Sequence, residues 1–198
     1  MTIHLSLKKL SQWQQIAFCG ALLERMLPNY QMFSEAESFG DYKVIRNQLD
    51  LIWQWLDKNN RCKINFSAQL VKLEEQTPNP EHFDSFGVFP ALDVCMALMS
   101  LLQAMQDKDD EGIMNVSRLS ENSVRFYVEL ILAEEMAEDD DSDVSINDIN
   151  QHPLMQWEVA TQDELFDFVS DCAENKNSCI KAKGLVLEEG LSNLGIEL

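Results

Sequence analysis

FGVFPALDVCMALMSLLQAM, residues 86–105, is the stretch whose reading decides the fold. From Ala91 to Met105 only Asp93, Ser100 and Gln103 are plainly polar. A helix that is apolar on nearly every side must be enclosed by neighbours. Pro90 suits a first helical turn, having no N–H to leave unpaired and a φ already near the helical value, and Gly87 allows a sharp entry. The pattern predicts a central core helix over about 90–105, opening at Pro90 and closing at Met105. At about 1.5 Å rise per residue it falls short of the roughly 20 apolar residues a bilayer demands. Its one charge, Asp93, is expected in the first turn, where unpaired N–H groups and the helix dipole favour a carboxylate.

Working outward, Leu10, Trp13, Ala17, Gly20, Leu23 and Leu27 recur at i, i+3, i+4 spacing and predict a helix over about 6–27, ended by Pro28 and Asn29. Gly20 points to a close helix crossing, because glycine in a helix interior otherwise costs about 1 kcal/mol. A short helix over 30–39 stops at Gly40, and Asp41 caps a helix over 42–59 that turns Ile45, Leu49, Ile52, Trp53 and Leu56 inward. Residues 61–64 read as extended, and Asn65 then caps a helix carrying Phe66, Leu70 and Leu73. After the central helix a polar run, 107–112, leads into a long helix over 113–138. Ser145-x-x-Asp148 has capping-box spacing, and Pro153 opens a helix to about 175 in which Thr161-x-x-Glu164 predicts a kink. A last helix covers 178–189. No run alternates as a strand does. The expected architecture is all-α, one domain over 1–198, an up-and-down bundle of seven or eight helices around the buried central one.

The 198 residues are 45% hydrophobic and 25% charged, which is ordinary for a globular chain. The charge is unevenly placed. Residues 1–100 hold nine Lys and Arg against 11 Asp and Glu, net −2, whereas 101–198 hold six against 23, net −17. Such a field repels phosphate backbones and anionic lipid, so no nucleic-acid or membrane partner is expected, and a basic protein partner is favoured. The plainer use of the same charge is solubility. Lys8, Lys9, Gln12, Gln14, Gln15 and Glu24 interrupt any apolar leader near the N-terminus, and the expected location is the cytoplasm. Five cysteines without a C-x-x-C pair indicate neither a disulfide framework nor zinc.

Nucleotide-cradling and nucleophile-elbow motifs are absent from the sequence. None of His4, His82 and His152 has a Glu three residues before it, as a helical di-metal site would require. In the acidic stretch 134–143, EEMAEDDDSD, the aspartates Asp139, Asp141 and Asp143 alternate like the first ligands of a calcium loop. Val144 then stands where glycine is required and Asn150 where glutamate is, so the stretch reads as a solvated mobile loop. No metal or cofactor is expected. What remains is His82, Asp84 and Asp93 around the entry to the central helix. These could exchange protons or hold a small anion if they converge on a pocket. Each also has a structural use: Asp93 at the dipole, Asp84 in a turn, His82 exposed in a loop. The expected function is a soluble, non-enzymatic interaction protein with an acidic C-terminal half. The alternative is an enzyme or small-anion-binding protein with its site near His82, Asp84 and Asp93. A homodimer through an apolar face stays open.

Several segments also look familiar in combination. Glu24-Arg25-Met26-x-Pro28-Asn29-Tyr30, Phe39-Gly40-Asp41, Leu49-Asp50-Leu51-Ile52-Trp53, Asn65-Phe66-x-x-Gln69-Leu70, Phe83-Asp84-x-x-Gly87-Val88-x-Pro90-Ala91-x-Asp93 and Ser192-Asn193-x-Gly195-Ile196 resemble the YjaG-like family of uncharacterised bacterial proteins. The resemblance spans nearly the whole chain and thins between Asp107 and Met155. It implies an all-α, up-and-down bundle. It implies no activity, cofactor or site residue.

Overall fold

The structure, a computed structural model, describes residues 5–59, 62–136 and 144–197. Among these it forms eight α-helices: α1 Gln12–Glu37, α2 Tyr42–Leu56, α3 Phe66–Glu74, α4 Val88–Asp107, α5 Asp110–Met136, α6 Ile146–Gln151, α7 Pro153–Asp171 and α8 Lys176–Val186. The 3-10 turns Leu7–Lys9 and Pro80–His82 complete the list, and the only β feature among the described residues is one antiparallel bridge, Leu191 to Glu197. The fold is an all-α bundle. Its helix starts follow local chemistry: Ser11 and Gln14 form a full capping box on α1, Ser145 and Asp148 one on α6, and Asn65 and Asn175 accept from Ala68 and Ser178 amides. Residue 61 of the expected extended segment and residues 137–143 of the expected acidic loop lie outside the described residues.

α4 is a core helix. Val94, Cys95, Leu98, Leu101 and Leu102 have no exposed surface, and α1, α2, α3 and α5 pack on it. It begins two residues before Pro90, capped by Gly87, so Asp93 sits in the second turn. The dipole of the first turn therefore does not account for Asp93. The centre is shared with α1, which touches α2, α4, α5, α7 and α8.

α1 does not stop at Pro28. It continues to Glu37 as one helix of 26 residues, absorbing the separate helix expected over 30–39. Proline in a helix interior forfeits a hydrogen bond to the carbonyl four residues back, a cost of about 3 kcal/mol. Here burial outweighs that cost, because Met26 and Leu27 before the proline and Tyr30 and Phe33 after it are all at most 2% exposed in the same core.

Gly20 permits the expected close crossing, since a Cβ there would stand 3.2 Å from the Trp53 ring of α2. A second such contact was not expected. Gly112 lies inside α5, not before it, and a Cβ on it would meet the Ser100 carbonyl at 2.8 Å and the Ala104 Cβ at 2.9 Å. This close approach lets α4 and α5 run antiparallel along their length. α7 is continuous through Thr161, which is buried, so the second capping box goes unused. The chain after α8 folds back. Gly195, at φ +77, supplies a left-handed turn in which the Ser192 hydroxyl accepts from the Leu194 and Ile196 amides, and the Asn193 amide donates to the Arg25 carbonyl at 3.1 Å.

Candidate functional site

Two neighbouring residues on α1 face opposite ways and build two different polar centres. Arg25 turns inward and is fully buried. Its guanidinium lies 3.8 Å from the Trp157 ring centre, and its Nη1 donates to Glu158 Oε2 on α7. Glu158 Oε1 also accepts from Ser120 Oγ at 2.6 Å and from Gln162 Nε2 at 2.7 Å. Asn193 from the C-terminal segment donates to Ser120 and accepts from Asn29 Nδ2 at 2.8 Å. Burial pulls the Arg25 guanidinium below its ordinary value, and Glu158 opposes it without restoring it. This centre is enclosed and ties α1, α5, α7 and the C-terminal segment together.

Glu24 turns the other way, toward α2 and α8. Its Oε1 accepts from Trp53 Nε1 at 2.7 Å, Arg46 Nη2 at 2.9 Å and Lys183 Nζ at 3.0 Å, while Arg46 Nη1 donates to its Oε2. Arg46 also reaches Asp50 at 2.8 Å, and the Lys183 ammonium sits 4.5 Å from the Trp53 ring centre. Burial alone would push the Glu24 carboxyl up, but the bonds and charges of Arg46 and Lys183 hold it below the usual carboxylate range. Two clefts flank this hub. One, of about 420 Å³, is walled by Pro28, Met32, Tyr42, Arg46 and Ile196, and the other, of about 360 Å³, by Asp50, Trp53, Lys176, Ile180 and Lys183. The acceptor positions of Glu24 are already filled by its own neighbours. It reads as the keystone of a helix crossing, with open clefts beside it.

The third feature lies on the outer face of α4 and α5. Phe86 packs on Phe126 at 5.5 Å and Tyr127 at 5.6 Å between ring centres, and Phe89 meets Phe126 edge-on at 5.3 Å. Phe89 and Phe126 remain 40% and 44% exposed. One turn along each helix stand Asp93 and Ser123, joined by a 2.5 Å hydrogen bond from Ser123 Oγ to Asp93 Oδ2. Asp93 is half-buried and forms no ion pair among the described residues. Burial pushes its carboxyl up to about 6, with the Ser123 bond pulling the other way.

Of the residues singled out in the sequence, His82 ends the Pro80–His82 turn and is exposed, as is Asp84. No hydrogen bond or ion pair joins His82, Asp84 and Asp93 among the described residues; Asp93 is engaged by α5 instead. No group of three or more His, Cys, Asp or Glu residues could hold a metal ion among the described residues. The residues that do converge, Glu24, Arg46, Trp53 and Lys183, gave one local signal, the Arg46 and Asp50 pair at i, i+4 spacing. Arg25 and Glu158 are 133 positions apart and gave none.

Arg25, Asn29, Ser192 and Asn193, which close the buried centre, fall in segments that carried the resemblance noted above, and residues 2–197 match a family described as "Protein of unknown function (DUF416)". The chain belongs to the DUF416 family. It is 36% identical over 196 residues to the uncharacterized protein YjaG of Escherichia coli strain K12, covering 98% of this chain and 95% of that protein. It is 33% identical over 198 residues to an uncharacterized protein of Haemophilus influenzae, covering 98% and 96%. The crystal structure of a DUF416 protein from Shewanella baltica OS155 superposes with a TM-score of 0.83 at 35% identity, over 97% of this chain and 96% of that one. That DUF416 protein shares this helical fold over nearly the whole chain. The family brings no assigned activity.

Proposed function

We propose that this DUF416 protein is a non-enzymatic, cytoplasmic interaction protein that takes a basic protein partner on its acidic surface. The observation that carries this reading is the aromatic face on α4 and α5, where Phe89 and Phe126 stay exposed on a chain of net charge −19. Clustered exposed aromatic rings are characteristic of surfaces that another molecule covers. A strongly negative field would draw a basic partner in and speed its encounter. Against an enzyme, the His82 and Asp84 side chains are exposed and form no hydrogen bond or ion pair with Asp93 among the described residues, while Asp93 is tied to Ser123.

Affinity capture from native lysate tests it. The wild-type chain is compared with a variant in which Asp139, Asp140, Asp141 and Asp143 are changed to Asn. A basic protein retained by the wild type at low salt, released as salt screens the charges, and weakened by the variant is the expected result. An empty capture at low salt, or one indifferent to the neutralised aspartates, overturns the reading.

A further inference from the structure

We infer that the aromatic face of α4 and α5 is a receptacle for one arginine side chain of that basic partner, with Asp93 as its counterion. The inference rests on the reading above and names the contact within it. Phe89 and Asp93 stand at i and i+4 on α4, with Phe86 just ahead of its Gly87 cap, and Ser123, Phe126 and Tyr127 succeed one another at i, i+3 and i+4 on α5. The antiparallel pairing brings the two rows together, as the ring contacts and the Ser123 to Asp93 bond record. The product is a cluster of four aromatic rings with a carboxylate one turn away.

That carboxylate is half used. Ser123 holds Oδ2, whereas Oδ1 accepts no hydrogen bond, and no Lys, Arg or His pairs with Asp93 among the described residues. A half-buried carboxylate without a cation is costly, and a partner cation would relieve that cost. Ring faces attract cations, and a guanidinium does what an ammonium cannot: it stacks flat on an aromatic ring while donating edge-on to a carboxylate oxygen. The same chain already shows this chemistry inside, where Arg25 lies on Trp157 and donates to Glu158. Charge favours the arrival of an arginine, since residues 101–198, which include all of α5, carry net −17.

The test uses the full chain and a capped, fluorescein-labelled arginine-rich peptide, with lysine and citrulline peptides of equal length as controls. Citrulline keeps the shape of arginine and removes its charge. Fluorescence anisotropy is read for the wild type, Asp93→Asn, Phe126→Ala and the variant with Asp139, Asp140, Asp141 and Asp143 changed to Asn. Asp93→Asn preserves the acceptor for Ser123, and circular dichroism confirms that each variant is folded. The expected result is about tenfold weaker binding of the arginine peptide by Asp93→Asn and by Phe126→Ala, the scale of one desolvated cation contact. The lysine peptide binds less tightly to the wild type, and the citrulline peptide does not bind. Undiminished binding by Asp93→Asn and Phe126→Ala overturns the receptacle. If only the neutralised-aspartate variant then loses binding, the wider reading of an acidic docking protein survives without it. If Asp93→Asn weakens binding and that variant does not, the receptacle stands and the acidic stretch has no part in it.

Discussion

Replacing Arg25 by methionine probes what the buried centre contributes. The Arg25 and Glu158 side chains are 1% and 0% exposed, and the guanidinium is the cation bonded to that carboxylate. In Arg25→Met the Glu158 carboxylate keeps two neutral donors, Ser120 Oγ and Gln162 Nε2, and loses its counterion. Breaking one side of a buried pair typically costs about 3–5 kcal/mol, because a charge is left in low dielectric. For a chain of this length about 1 kcal/mol moves Tm by roughly 2–4 °C, so a fall of about 6–20 °C is expected. Adding Glu158→Gln removes the stranded charge and leaves an oxygen for the same two donors. The double variant should lie within about 1–3 kcal/mol of the wild type, the remaining cost being an amide without a full set of partners. Urea unfolding followed by far-ultraviolet circular dichroism gives all the stabilities, provided the slopes agree. If Arg25→Met is within about 1 kcal/mol of the wild type, or the double variant is no more stable than Arg25→Met, the stranded-charge reasoning fails.

Asp93 should make the protein less stable as pH rises. Its carboxyl goes from an ordinary 3.8 to about 6 in the folded state, so the folded chain holds the proton longer than the unfolded one. Stability therefore falls between about pH 4 and 6, and the deficit, roughly 1–3 kcal/mol, is fully present above that window. Asp93→Asn should raise Tm near neutral pH and flatten that slope; equal Tm at both ends of the window would contradict this. Two glycine substitutions should act in opposite directions. Gly112→Ala forces a methyl against the Ser100 carbonyl and Ala104 and should cost about 1–3 kcal/mol, whereas Gly184→Ala, with nothing within 4 Å, should gain about 0.5–1 kcal/mol in denaturant titrations. Leu98→Asp or Leu102→Asp puts a charge where no surface is exposed, and each should abolish soluble expression; a soluble, fully helical product of either would refute α4 as a core helix.

The sequence by itself determined the all-α class and most of the helices. Apolar spacing placed α2, whose Ile45, Leu49, Ile52, Trp53 and Leu56 are all buried, and near-continuous apolarity placed α4. Asn65 and the Ser145 and Asp148 box marked helix starts correctly, because capping is satisfied within three residues and needs nothing distant. Where the local signal was silent or misleading, the tertiary structure decided. Pro28 argues for a helix end on local grounds and is overruled by Tyr30 and Phe33, whose burial depends on what surrounds them. Gly112 looked like a linker residue until the crossing of α4 and α5 gave it the Ser100 carbonyl as a neighbour. Asp93 reads locally as a carboxylate at a helix dipole, yet its bond is to Ser123, 30 positions away. Arg25 meets Glu158, and Glu24 meets Lys183, only once α7 and α8 have docked on α1. A helix's own period is written in its residues, whereas the register in which two helices dock is fixed by side-chain packing between segments far apart in the chain.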